Sequence, residues 1–247
     1  MISPKSQYII RRSHRFLGIL IGIQFLAWTA GGLYFSWSDM DEVHGDYELS
    51  HEESLEIKQA IISPYPFIDS MNRLQPSDKM THLKLVTILE VPCWQITYQI
   101  NDTEEHEHVT YLYDAVSGKL REPVTESQAK EIARSRYLGS GDIESVEFLT
   151  TIGRHHEYRE QPLPAFAISF NDDRRTTMYV SAASGMITKI RNRPWRQFDF
   201  LWMMHTMDYV SRDNITNWLL RIFSIFGITT VMSGVLLFFV SLRKAKA

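Results

Sequence analysis

Nine histidines are spread over the 247 residues of this chain, against one cysteine. Three of the nine lie beside long apolar runs. His14 precedes the first run, His44 follows it in SDMDEVHGD, and His205 lies in LWMMHTMDY before the second. A neutral imidazole is a proton acceptor, a hydrogen-bonding pivot and an axial ligand for haem iron. Met203, Met204 and Met207 offer thioethers beside His205. His14 and His44 cannot share an iron, because on a continuous helix they would stand about 45 Å apart. His44 and His205 fall at the same predicted membrane face, so the two could share one site. Each has a plainer reading. His205 can be a packed residue of an interfacial helix, His44 a loop residue before Gly45, and His14 a headgroup contact beside Arg12 and Arg15.

The remaining chemistry is sparse. His106 with His108, and His155 with His156, are spaced for a surface metal site but lack a carboxylate or cysteine frame, so a solvated loop is expected. The lone Cys93 excludes an internal disulfide and a cysteine-based zinc or iron–sulfur site. It begins a strand and reads as a small buried residue. No HExxH, Gly-rich phosphate loop or nucleophile–base pair is present. With a net charge of −3, the chain has no basic nucleic-acid footprint.

Two apolar elements position these histidines. Residues 16–37, FLGILIGIQFLAWTAGGLYFSW, span roughly 33 Å as a helix, about one hydrocarbon thickness. Residues 218–241 form a second such run. A cleaved signal peptide is the rival reading of the first, but the run is long and no small-x-small site follows it. Gly18 and Gly22, then Ala27 and Gly31, space small residues for close helix approach. Basic residues 5, 11, 12 and 15 precede the first run and acidic residues follow it, while Arg243, Lys244 and Lys246 follow the second. The positive-inside rule then places residues 1–15 and 242–247 in the cytoplasm and 38–217 outside it. Residues 195–210 read as an amphipathic helix lying in the interface. Asp208, Arg212, Asp213 and Arg221 are expected to form an ion-pair cluster fixing that helix against the second span.

The middle of the chain repeats. A helix, a strand and a hairpin closing in a Ser-Gly turn occur over residues 48–122 and again over 123–192. In the second copy, Thr125 and Gln128 make a capping box before TESQAKEIARSRY. Strand 145–151 follows, then the hairpin PAFAISF–NDDRR–TTMYVSAASGMI. In the first copy, Ser50 and Glu53 cap ESLEIKQAII, strand 82–89 follows, and the hairpin is CWQITYQI–NDTEEHEH–VTYLYDAVSGKL. Ile96 and Tyr98 correspond to Ile168 and Phe170, and Tyr113–Gly118 to Val180–Gly185. Each copy is too small to bury much core by itself, so the two are expected to pack together. The fold class is therefore α+β: two repeats of helix plus antiparallel strands, tethered by two transmembrane helices.

TESQAKEIA followed by YVSAASG resembles a PepSY domain. YLYDAVSG carries the Asp-x-x-Ser/Thr-Gly ending of that domain more fully, Ser181 replacing the acid in the second copy. RRSHRFLGILIG and SGVLLFFVSLRK are similar to the flanking helices of PepSY-associated transmembrane proteins. The resemblance implies a bacterial inner-membrane protein with periplasmic PepSY units. In that family some members hold haem b and pass electrons to ferric siderophores, which makes His14, His44 and His205 its candidate ligands here. Those members have four or more membrane helices, so another subunit or a second copy would complete such a site. PepSY units also serve as inhibitory or chaperoning modules. The expectation is thus an accessory component of haem-linked electron transfer or ferric-siderophore reduction, the alternative a non-catalytic binding or peptidase-regulating module.

Overall fold

The computed structural model describes residues 4–50, 60–100, 108–212 and 214–244. In chain order the elements are helix α1 (Pro4–Trp37), short helix α2 (Met40–His44), helix α3 (Tyr65–Leu74), strands β1 (Lys79–Ile88), β2 (Val91–Gln99) and β3 (His108–Asp114), helix α4 (Glu126–Arg136), strands β4 (Ile143–Leu149), β5 (Ala165–Phe170), β6 (Thr177–Ser181) and β7 (Ile187–Arg191), and helices α5 (Arg193–Thr206) and α6 (Trp218–Lys244). Two compact units result, Met1–Met40 with Pro194–Ala247, and Asp41–Arg193.

The first unit is helical. Tyr8–Trp37 of α1 and Trp218–Phe239 of α6 are both long and apolar enough to cross a membrane. Helix α1 continues through the basic residues before the apolar run, so hydropathy alone misplaces its start. It stops at Trp37, and Ser38 and Asp39 are not helical. The estimate of His14–His44 separation along one continuous helix therefore does not apply. Helices α1 and α6 pack together. Helix α5 lies along α1 through residues spaced i, i+4, i+7: Phe198 and Trp202 face Phe35 with ring centroids 4.8 and 5.9 Å away, and His205 faces it at 5.7 Å. That spacing puts all three on one face of the helix.

The second unit is α+β. Its strands form two antiparallel sheets, ordered β1-β2-β3 and β4-β5-β6-β7. Alternation assigns each strand residue to a face. On the four-stranded sheet, Phe166, Ile168, Phe170, Met178, Val180 and Ile190 pack against Ala129, Ile132 and Ala133 of α4. The same core takes in Ile88, Cys93 and Leu112 from the three-stranded sheet, so the copies share one interior. Each large aliphatic side chain buried there contributes about 1.5–3 kcal/mol. The reverse face of the four-stranded sheet has its own cluster, where Tyr158 stacks on Tyr179 with centroids 4.6 Å apart.

The turns of the two copies repeat at the level of single hydrogen bonds. Asp114 Oδ1 accepts from the N–H of Val116 and Ser117, at 2.9 and 2.7 Å. In the second copy Ser181 Oγ accepts from Ser184 N–H at 3.2 Å. Gly118 N–H and Gly185 N–H each return to the carbonyl four residues back, both at 2.8 Å, with φ of 74° and 66°. Ala115 N–H bonds Pro92 O, and Ala182 N–H bonds Pro164 O. The residue entering each copy's helix docks on its turn, Ile62 N–H on Ala115 O and Val124 N–H on Ala182 O.

Sequence and structure differ in three places here. Helix α3 was not expected; Phe67 of α3 stacks on Tyr113 with centroids 4.4 Å apart, occupying the helix position of the first copy. The expected capped helix ESLEIKQAII spans residues 53–62: residues 53–59 lie outside the described residues, as does most of the NDTEEHEH loop, and residues 60–62 are not helical. The second copy also carries an extra strand, β7, after its Ser-Gly turn.

Candidate functional site

His205 is held where three helices of the first unit meet. Along α1, Gln24, Trp28, Gly31 and Phe35 recur at i, i+4, i+7 and i+11, a single stripe. Gln24 Nε2 donates to Met204 O at 3.1 Å, pinning α5 to that stripe. Gly31 lies beside the imidazole: a Cβ there would stand 3.9 Å from His205 Nδ1, in ordinary contact. Trp28 and Trp202 flank the ring with centroids 6.1 and 6.3 Å away, Trp202 nearly parallel at 14°.

Beside this ring is a cavity of about 350 Å³ lined by Trp28, Trp202, His205, Thr206, Ile215 and Leu220. Two of the residues lining it carry a buried polar atom without a hydrogen-bond partner, Trp28 Nε1 and His205 Nδ1. An indole N–H shut away from both water and acceptors costs about 1–3 kcal/mol. Two such groups on residues of one apolar cavity mark a place where a ligand can supply what the protein does not.

The loop closing this site is anchored by Asp208. Its carboxylate accepts from the N–H of Val210, Ser211 and Asn214, at 3.2, 3.1 and 2.8 Å, and from the Ser211 hydroxyl. Burial alone would push its pKa up; these bonds, led by Ser211, outweigh burial and hold it at about 2. The expected ion-pair cluster is corrected here. Asp208 caps a turn instead of pairing with arginine, since donors from its own loop saturate it. Arg212 pairs with Asp199 of α5, a partner the sequence reading missed. Arg221 lies 5.3 Å over the Trp218 ring, and Asp213 is outside the described residues.

His14 sits elsewhere on the helix pair. Its Nδ1 is 2.7 Å from Ser233 Oγ, and Ser233 donates its one proton to Thr230 O at 2.7 Å. The shared oxygen must therefore accept, so His14 donates through Nδ1, and in the neutral ring the lone pair is then on Nε2. Gly234 admits the ring; a Cβ there would be 3.2 Å from His14 Cε1. Between His14 and the level of Gly31 lie roughly 26 Å of helix at ~1.5 Å per residue.

His44 belongs to the other unit. It is the exposed last residue of α2, just before Gly45. For haem the fit is partial. The cavity lining supplies one imidazole, His205, and no second histidine or methionine among the described residues. His14 is too distant along α1 to complete that set.

The second unit holds a different depression. The core-facing side of the three-stranded sheet turns polar toward one end. There Lys84, Gln95, Thr110 and His108 meet Pro162, Leu163, Ser181, Ser184, Met186 and Thr188 across about 310 Å³. The described lining carries a lysine and a histidine and no carboxylate. His156, expected on a solvated loop, instead accepts from Tyr158 N–H through Nδ1 at 3.1 Å and meets Tyr179 edge-on. Cys93 is fully buried, as expected. Burial raises its pKa against the opposing pull of Arg121, whose Nη1 lies 3.2 Å from Sγ.

Comparison of the chain with protein-family models, curated proteins and solved structures returns no match in any of the three.

Proposed function

We propose that this chain is a membrane-tethered binding module: two PepSY-like units, held outside the cytoplasm of a bacterium by a helical pair, that engage a partner polypeptide. The polar groove carries this reading. Both copies contribute to it, the described lining is cationic, and its hydroxyls and amide offer donors to an extended acidic segment. The repeated turn supports it by holding Ser181 and Ser184 in place at the groove wall. The charge asymmetry around the two apolar runs favours the external orientation.

One experiment tests orientation and binding together. Thr110→Cys puts a thiol in the groove, and the native Cys93 is buried and does not compete. A membrane-impermeant maleimide photocrosslinker is added to intact spheroplasts. The thiol is expected to label, and light should then capture a discrete adduct. Glu131→Cys, on the exposed face of α4, should label without it. Adding Lys84→Glu and His108→Glu should abolish the adduct. An unlabelled thiol in spheroplasts sinks the orientation; labelling with no groove-specific adduct sinks the module.

A second reading is favoured by the lone-paired Nε2 of His14 and the unpartnered Nδ1 of His205. It makes the chain an accessory to haem-linked electron transfer, giving one imidazole per iron, with a second copy or another subunit giving the other. A haem bound there would supply one-electron chemistry. An absorbance spectrum of protein purified from haem-replete membranes, with its co-purifying partners, is expected to show a Soret band that His205→Phe removes. Its absence from that assembly defeats the reading.

A further inference from the structure

From the cavity at Trp28 and His205 we infer a binding site for the headgroup of a membrane quinone. The walls are flat aromatic surfaces: Trp28, Trp202 and the His205 imidazole. Such walls favour a planar ring stacked at ordinary aromatic spacing. The unsatisfied atoms then set the ligand's polar groups. Trp28 Nε1 can only donate, so it needs an acceptor. His205 Nδ1 can donate to a second acceptor when it carries the ring proton, or accept from a hydroxyl when it does not. A quinone presents two carbonyl oxygens across one ring, and its reduced form presents two hydroxyls. Both match this pair of atoms.

Charge excludes the commonest rival in a bilayer. The described lining contains no lysine or arginine, so a lipid phosphate would enter without a counter-charge, at heavy desolvation cost. A neutral carbonyl ring carries no such penalty. The remaining lining, Ile215 and Leu220, is apolar, and Ile215 is 60% exposed. It gives an isoprenoid tail an apolar route outward. The volume, about 350 Å³, lies at the small end of ligand pockets and suits one ring with its substituents. This inference is independent of the groove and of its partner.

The test uses the full-length protein in nanodiscs and a short-chain ubiquinone as probe, with bound quinone measured after rapid separation. Saturable binding is expected. Trp28→Phe keeps the aromatic wall and removes the N–H; it should weaken binding about three- to tenfold, the worth of one hydrogen bond. His205→Phe should weaken it by a similar factor. Ile215→Trp fills the exposed mouth without touching the helix contacts, and should abolish binding in a protein that still folds. Phosphatidylglycerol added in excess should not compete. Non-saturable uptake, equal affinity in wild type and Trp28→Phe, or displacement by the anionic lipid would each overturn the site. So would a haem Soret band that His205→Phe removes and Trp28→Phe leaves intact, because the cavity would then belong to an iron.

Discussion

Single residues here are explained by where their protons go. Ser233 has one proton and gives it to Thr230, which makes His14 the donor through Nδ1. Asp208 has none to give and gathers its loop through acceptor bonds. Its folded pKa is about 2, below the ordinary carboxylate value near ~3.9. The sign follows from that order: its stabilisation is complete above the ordinary value and is lost as the pH falls from about 4 through 2. Asp208→Ala should lower the stability of the helical unit by about 2 kcal/mol at neutral pH and flatten its acid limb over that window. Tryptophan fluorescence during acid titration measures both, and an unchanged acid limb refutes the assignment. Part of this was legible: Asp208 and Ser211 have the spacing of Asp114 and Ser117, an Asx turn in each case. The Asp199–Arg212 pair was not, because no local periodicity links residues separated by a helix end and a turn.

At the scale of elements, the repeat was readable because two signals coincide in each copy. Alternation buried Ile96, Tyr98, Ile168 and Phe170 as expected, and a glycine with positive φ closes each turn. Helix α3 escaped because Pro64 and Pro66 look like loop residues until one allows proline in a first helical turn. Hydropathy located both membrane-length helices but not their contact, which depends on small residues at particular levels. Gly234 faces His14, whereas Gly227 has open space where a Cβ would be. Gly234→Leu should therefore disrupt the α1–α6 pair and Gly227→Leu should not. Disulfide crosslinking between cysteines placed on the two helices would show the difference; equal crosslinking in both variants would contradict the packing.

At the scale of the molecule, the chain leaves the helical unit once, builds the α+β unit and returns once. The segment that begins that excursion is fastened to the second copy. Ser50 N–H bonds Arg136 O at 2.8 Å, and Arg174 bridges Glu42 and Glu48, both at 2.9 Å. Asn192, fully buried at the far end of the excursion, donates through Nδ2 to Glu42 O at 2.8 Å. One amide thus joins the first residues of the α+β unit to its last. Between those points the polypeptide is topologically a closed ring fastened by a side chain. A ring needs no particular opening, and the existing cut could be moved to any exposed turn, with the old ends joined by a few residues, while every strand keeps its neighbours.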